Sequence, residues 1–434
     1  QTPLKTVTAT TLQLSAVAVA NGTAIKKGLQ WWLSPAKAGP SASYRDVQHS
    51  NKAQPEYRVM PGKYSITVAY GGFKISKMIT VTPNKFNQKV IVLGVGELKL
   101  AAQVAVNTRE ISGNLKWWVN RPVKGLDNQP INVAMSTEPK PNFKLLPGKY
   151  QVVVKYGAVE VKQNVIVRAG HATTDSIILN AAFLKVSAVP VVDGTQLKSN
   201  LRWWVNHAKA DLGGTHRSLT YSSLASPLFI VPAGQYQLVV NWGIAQHYQE
   251  FKLEPGQHQV KTVNLRAGIL NVKASLTAGG EPINAKIKWS VIMPAVGGME
   301  KARVLGYKAQ PNPKFRLNAG KYRVIANFSA TKIGNDVAVS AGHETRHVVN
   351  LNAGKIQFQA VYIKGGEPIQ NVKWDVNKIN TMGGFESVAD SDETQPIFLL
   401  PAGKYEVTVD YGPAKAKAEL VVTAGQQELK TLLV

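Results

Sequence analysis

Tryptophan recurs in this chain at a fixed step. Trp31, Trp117, Trp203 and Trp289 are 86 residues apart, and Trp374 follows after 85. Tyr64, Tyr150, Tyr236 and Tyr322 keep the same spacing, with Tyr405 following after 83. A strict period with turn residues at fixed offsets means one structural unit copied in tandem. The 434 residues therefore divide into an amino-terminal arm, residues 1–10, and five modules at 11–96, 97–182, 183–268, 269–354 and 355–434. Each module is long enough for one modest core.

Within every module the apolar pattern has period two, the signature of half-buried strands. Leu115, Trp117 and Val119 share one face, and Lys116, Trp118 and Asn120 share the other. The first face repeats as Leu29/Trp31/Leu33, Leu201/Trp203/Val205, Ile287/Trp289/Val291 and Val372/Trp374/Val376, so the five period-setting tryptophans belong to the cores. The repeated tyrosines open a second alternating strand, as in Tyr150/Val152/Val154/Tyr156, and are core residues on the same reasoning. Turns are expected at Asn21-Gly22, Asn107-Thr108, Asp193-Gly194, Gly279-Gly280 and Gly365-Gly366, because Asn, Asp and Gly tolerate positive φ. About seven short strands per module, punctuated every 8–12 residues and without an amphipathic helix, predict an all-β fold of five seven-stranded sandwiches. Joints such as Asn180-Ala181-Ala182 and Asn352-Ala353-Gly354 are too short to be flexible tethers, so the modules should abut as an extended rod.

The segment Leu400-Pro401-Ala402-Gly403-Lys404-Tyr405, running on to Tyr411-Gly412, and its relatives at 146–157 and 231–243 resemble bacterial transthyretin-like or immunoglobulin-like modules. These include the carboxypeptidase-regulatory, Cna-B and PEGA types. The resemblance implies a sandwich with the tyrosine at the start of a central strand, and tandem copies of that kind build stalks of surface proteins. Copy four departs from the pattern, with Asn318-Ala319-Gly320 before Tyr322 and Phe328-Ser329 in place of Tyr-Gly. Neither a Lys–Asn isopeptide pattern nor a sorting signal is read here.

The net charge is +25, from 51 Lys and Arg against 26 Asp and Glu. By module it runs +9, +5, +4, +8 and −2. That asymmetry fits an anionic partner such as polysaccharide, nucleic acid or lipid head groups, or else solubility together with head-to-tail attraction between copies. There are no cysteines, which excludes disulfides and thiolate chemistry. No apolar run reaches the roughly 20 residues of a membrane-spanning helix. Gln1 rather than Met at the start fits a cleaved secretory precursor or a piece of a longer chain, and the expected location is secreted, cell-surface or periplasmic.

Reaction chemistry finds no foothold. His343-Glu344-Thr345-Arg346-His347 spells the zinc-protease motif, but it falls where the other modules have a strand. There, positions i and i+4 lie about 13 Å apart and cannot share a metal. Glu386, Asp390, Asp392 and Glu393 lack the spacing of a calcium loop. No catalytic residue, metal site or cofactor is expected.

One constellation remains. Trp32, Trp118 and Trp204 should point outward, beside Lys116 and Arg202 in two of the modules, whereas Ser290 and Asp375 take that position in the last two. Such a residue is covered by a loop or the next module, buried against another subunit, or stacked on sugar rings or bases with a cation alongside. Scattered basic charge without a reader motif argues against nucleic acid. The expected role is a non-enzymatic structural or adhesive element, a stiff stalk or the repeating subunit of a filament, whose partner is itself. The alternative is a protein that binds glycan or an anionic envelope polymer.

Overall fold

The computed structural model describes residues 8–36, 47–71, 73–83, 85–124, 129–295, 302–328, 331–412 and 414–434. It forms two units. One comprises Gln1–Lys185, Leu228–Gln235 and Lys252–Val260, and so holds copies one and two with part of copy three. The other comprises Val186–Pro227, Tyr236–Phe251 and Lys261–Val434, with the rest of copy three and copies four and five. Of the expected amino-terminal arm, residues 1–7 lie outside the described residues, and Thr10 already belongs to the first strand, Thr10–Val17.

Every copy has the same seven strands. In copy two they are Gly96–Gln103, Leu115–Lys124, Pro130–Ser136, Asn142–Leu145, Gly148–Tyr156, Val159–Val167 and Ala172–Ile178. The fourth, first and seventh strands form a three-stranded sheet, and the third, second, fifth and sixth form a four-stranded one. All five copies repeat this order, so the chain is a tandem array of immunoglobulin-like β-sandwiches. The first strands of copies two to five begin at Gly96, Ala181, Ala267 and Ala353.

The first and seventh strands run parallel, as in the pairing of Leu98 with Thr173 and Gln103 with Ile178. Parallel neighbours need a long crossover, here the whole four-stranded sheet. Because the two strands point the same way, the chain enters a sandwich at one end and leaves at the other. That geometry lets the next copy begin where the last one stops.

Alternation decides the core. Leu98, Leu100 and Ala102 of one sheet meet Leu115, Trp117, Val119, Val152 and Val154 of the other in one buried cluster. Equivalent clusters fill copies one, four and five. Trp31, Trp117 and Trp203 are fully buried, as are Trp289 and Trp374 to within 1%. Burying ~200 Å² of each indole at roughly 25 cal/mol/Å² contributes about 5 kcal/mol per copy, an upper figure. Tyr150, Tyr236, Tyr322 and Tyr405 are buried, whereas Tyr64 is half-buried. The hydroxyls of Tyr64, Tyr150, Tyr322 and Tyr405 each donate to the carbonyl four residues upstream, at 2.7–2.9 Å. This pins the turn before the fifth strand in the manner of a tyrosine corner. The turns after the first strand place Asn21, Asn107, Asp193, Gly279 and Gly365 at φ 58–80°, including Asn107, whose partner is Thr rather than Gly.

Each buried indole N–H is satisfied by a carbonyl beyond the third strand. Trp31 donates to Lys52, Trp117 to Glu138, Trp203 to Leu224 and Trp289 to Gln310, each at 3.0 Å, and Trp374 to Glu393 at 3.1 Å. Replacing Trp117 by Phe keeps most of the apolar contact but leaves the Glu138 carbonyl unpaired. It should destabilise copy two by about 1–3 kcal/mol, read in denaturant unfolding as an earlier transition for one module while the other four keep theirs.

Candidate functional site

The outward tryptophans lie half-buried on the open face of the four-stranded sheet, each between an edge-strand side chain and an inner-strand neighbour. Trp32 pairs with His49 and Thr67, Trp118 with Met135 and Val153, and Trp204 with Tyr221 and Val239. The Trp32 ring centroid is 5.1 Å from that of His49, and Trp204 is 5.4 Å from Tyr221, both tilted. Lys74 places its ammonium 5.0 Å from the Trp32 ring centroid. Lys116 and Arg202 are exposed on the same face, two residues before their tryptophans. Lys116 stands directly opposite Lys155, a like-charge cross-strand pair, and Arg202 stands opposite Asn241. In copies four and five, Ser290 faces Tyr307 and Ile325, while Asp375 faces Asp390 and Thr408.

The zinc-like motif straddles a turn and a strand, with Glu344 opening Glu344–Asn350. His343 Nδ1 is 2.8 Å from the Ala341 carbonyl. The Glu344 carboxylate accepts from Asn271 at 2.9 Å and Lys314 at 3.0 Å, and pairs with Arg346 at 3.4 Å. The Asn271 amide first, then the Lys314 ammonium, hold its carboxyl down at about 2. Its job is to tie the seventh strand of copy four to the first and fourth. Glu97, one residue into the first strand of copy two, is lowered chiefly by its hydrogen bond from Lys144. Glu386 and Asp390 lie on the edge strand Phe385–Ser391. No group of three or more metal-ligating side chains occurs among the described residues.

The most repeated geometry outside the cores is at the joints between copies. A single left-handed residue makes each turn: Gly94, Asn180, Arg266 and Asn352, at φ 46–68°. That residue or the one after it donates backward into the preceding copy. Gly94 N–H reaches the Ala18 carbonyl, and Ala181, Ala267 and Ala353 reach Val104, Pro190 and Leu276, at 2.9–3.0 Å. Asn180, Arg266 and Asn352 in turn accept from Ala233, Ala319 and Ala402 at 2.7–2.9 Å.

Two side-chain contacts complete each joint. Val19, Ala105, Val191 and Thr277, just past the first strand of one copy, meet Gly170, Gly256, Gly342 and Gly425 in the last turn of the next, where an added Cβ would lie 2.7–3.3 Å from them. The aromatic residue ending the fifth strand receives the middle residue of the next copy's fourth strand. Lys144 sits 5.6 Å from the Tyr70 ring centroid, and Arg316 sits 5.4 Å from that of Trp242. Ile230 and Tyr156 both pack against the core of copy two, and Leu399 packs against the core containing Phe328. The glycines after three of these aromatics, Gly71, Gly157 and Gly243, have φ 56–66°, and an added Cβ would stand 2.6–3.0 Å from the arriving side chain. The joint also explains why copy four abandons proline. Asn318 exchanges two hydrogen bonds with the Gln246 backbone at 3.1 Å and donates to the Leu265 carbonyl at 3.0 Å, all in copy three. These side-chain contacts escaped sequence reasoning, although a glycine directly after the strand-ending aromatic was a visible signal.

The class that the fold and the joints define is therefore a tandem immunoglobulin-like array with built interfaces between its modules. No family model matches the chain, and no curated protein matches it in sequence. Among solved structures it is similar to the Bacillus anthracis TIE protein at 14% identity, covering 81% of this chain and 75% of that one with a TM-score of 0.18. It is similar to a streptococcal ancillary pilin at 13% identity, covering 58% and 99% with a TM-score of 0.22, and to BcpA, the major pilin subunit of Bacillus cereus, at 10% identity, covering 59% and 99% with a TM-score of 0.17. Likeness this distant transfers neither a residue nor a role.

Two outcomes follow from this geometry. Gly157→Ala adds a methyl where φ is +61° and Ile230 Cβ is 2.6 Å away. It should loosen the joint between copies two and three and speed proteolytic cleavage there, while circular dichroism of the sandwiches stays unchanged. For Glu344 the folded-state value lies below the unfolded one, so its contribution is full above about pH 4.5 and disappears as pH falls toward 2. Acid titration of Glu344→Gln should show copy four losing less stability across that interval than the parent does.

Proposed function

We propose that this chain is a non-enzymatic structural element of the cell surface or extracellular space, a stalk or the repeating subunit of a filament. One observation carries the reading: within each unit, successive sandwiches are joined without linkers, by one left-handed residue, backbone hydrogen bonds and interlocked side chains. Each joint commits backbone donors and packed side chains to holding neighbouring copies together. A chain whose task is a reaction has no need of that investment; a chain that must transmit force or keep a spacing does. Pulling single molecules supplies the test. Five separate sandwich unfolding events, with no low-force extension before the first, are expected. Extension at low force, or immunolabelling that finds the chain only in the cytosol of producing cells, would sink the proposal.

The alternative is binding of an anionic glycan on the tryptophan face. The Lys74–Trp32 contact and the Lys116–Lys155 opposition favour it, because an acidic sugar would stack on the ring and relieve the paired charges. Retention on immobilised acidic polysaccharide that falls with salt, and falls again in Trp118→Ala/Trp204→Ala, is the expected result of that reading. Retention unchanged in the double variant removes it.

A further inference from the structure

Two cations cross a joint onto an aromatic ring, and only one of them is neutralised. Lys144 lies opposite Glu97 in its sheet and forms an ion pair with it. Arg316 lies opposite Ile269, which stands in copy four where Glu97 stands in copy two, and has no ion pair among the described residues. Its Nε is buried without a hydrogen-bond partner among those residues. The joint nevertheless fixes where this charge sits. The Arg316 carbonyl accepts from the Ile244 N–H at 3.1 Å, and the guanidinium lies 5.4 Å from the Trp242 ring centroid. Lys308, on the strand Arg303–Ala309, is pushed down first by burial and then by the charge of Arg316, so no acid compensates this corner. A cation held part-buried with no counter-charge is costly, and an arriving anion would relieve it.

Arg316 opens on a cleft of about 440 Å³ where copies three and four meet, inside the second unit. Arg202, Ser223 and Asn241 line it from copy three, and no carboxylate does. Every polar side chain there can donate a hydrogen bond, and paired guanidiniums match the fork of an oxyanion. The same positions do not converge in this way at the other joints. Gln30, Ala69 and Lys144 occupy them between copies one and two, and Lys116, Lys155 and Ile230 between copies two and three. Between copies four and five they hold Lys288, Asn327 and Leu399.

What lies beside the cleft selects the ligand. Half-buried Trp204 follows Arg202 on the same outward face, about 7 Å along the strand, with exposed Tyr221 against it. Beyond Arg202 and Asn241, the outward residues of these two strands are Trp204, Asn206, Val239 and Gln237, none of them charged. A polynucleotide, with a phosphate on every unit, calls for a continuous basic track. One anionic subsite next to an aromatic ring suits an acidic sugar chain better. We propose that this cleft anchors an acidic polysaccharide, with the carboxylate or sulfate of one sugar held between Arg202 and Arg316 and a neighbouring sugar stacked on Trp204. The proposal rests on the acidic-glycan reading and gives it a subsite; the structural reading does not depend on it.

Titration calorimetry of the 434-residue chain in low salt tests this, with trigalacturonate as the carboxylate probe and a sulfated trisaccharide as the sulfate probe. At least one should bind, while a neutral trisaccharide does not, and the stronger of the two identifies the anionic group. Ile269→Glu gives Arg316 the counter-charge that Lys144 already has, and it should weaken binding about tenfold or more with circular dichroism unchanged. Arg202→Ala removes an exposed side chain from the cleft and should have a similar effect, so the test survives if the first variant folds poorly. Trp204→Ala should weaken the trisaccharide but leave inorganic sulfate unchanged. Variants that bind like the parent would overturn the subsite. So would inorganic sulfate binding as tightly as the trisaccharide, which marks an adventitious ion only, or a single-stranded oligonucleotide binding more tightly than either sugar. If acidic polysaccharide retains the chain through Trp118 and Trp204 while Ile269→Glu and Arg202→Ala bind as the parent does, the subsite falls and the glycan reading stands. No binding of any acidic sugar removes both.

Discussion

Five buried indole N–H groups, each donating to a carbonyl past the edge strand, hold the architecture to its period. Without that bond the tryptophan would carry an unsatisfied donor into the driest part of the sandwich, at a cost comparable with a lost hydrogen bond. With it, the segment that is least alike between copies is anchored at one backbone atom: 21 residues after the tryptophan in four copies and 19 in the fifth. Everything between the tryptophan and that anchor is therefore open to variation. The second strand cannot shift without breaking the bond, and the fifth strand, paired along it, inherits its register. The tyrosine hydroxyl then fixes where the fifth strand starts. Two side-chain bonds, one from each repeated aromatic, thus set a four-stranded sheet whose remaining residues need only alternate.

A fixed sandwich has consequences at its ends. Because the first and seventh strands are parallel neighbours, the exit of one copy comes level with the ridge after its own first strand, as in the bond from Leu179 to the Gln103 carbonyl. The next residue has only to turn, and a single left-handed backbone position does this. Asparagine serves at two joints and Arg266 at a third, where the Asn264 side chain accepts from its N–H at 3.0 Å. Left-handed residues outside glycine carry strain. Here the strain is held by the hydrogen bonds on either side of it, and the result is a joint with almost no slack of its own.

What was legible from the sequence follows from what is local. Period-two alternation and turn chemistry act over a few residues, so the seven strands, the inward tryptophans and the positive-φ turns could be read directly, Asn107 among them. The outward direction of Trp32, Trp118 and Trp204 could be read for the same reason. Their neighbours could not, because the third strand shifts register against the second at bulges, and that decides which residue faces each ring. The side-chain contacts at the joints were hidden by distance. Lys144 looks like any outward lysine between two apolar neighbours, and its partner Tyr70 belongs to the copy before. The asparagine of copy four looked like decay of a turn motif until its bonds to Gln246 and Leu265 gave it a purpose.

The joints also differ from one another where the cores do not. Each core centres on tryptophan, yet the joint residues change at every step: Lys144 sits by Tyr70 and Arg316 by Trp242, whereas the same positions hold Tyr156 and Ile230 at one of the other joints and Phe328 and Leu399 at the last. Tandem copies of one fold risk docking or swapping with the wrong neighbour while they fold. A lysine on tyrosine or an arginine on tryptophan is poorly replaced by leucine, and leucine on phenylalanine is poorly replaced by a charge that must then be buried. Core and joint draw on different residues of the same strands: the inward apolar residues of the fourth strand fill the core, and the residue between them meets the neighbouring copy. This division lets one core be repeated five times while each joint is built from different side chains.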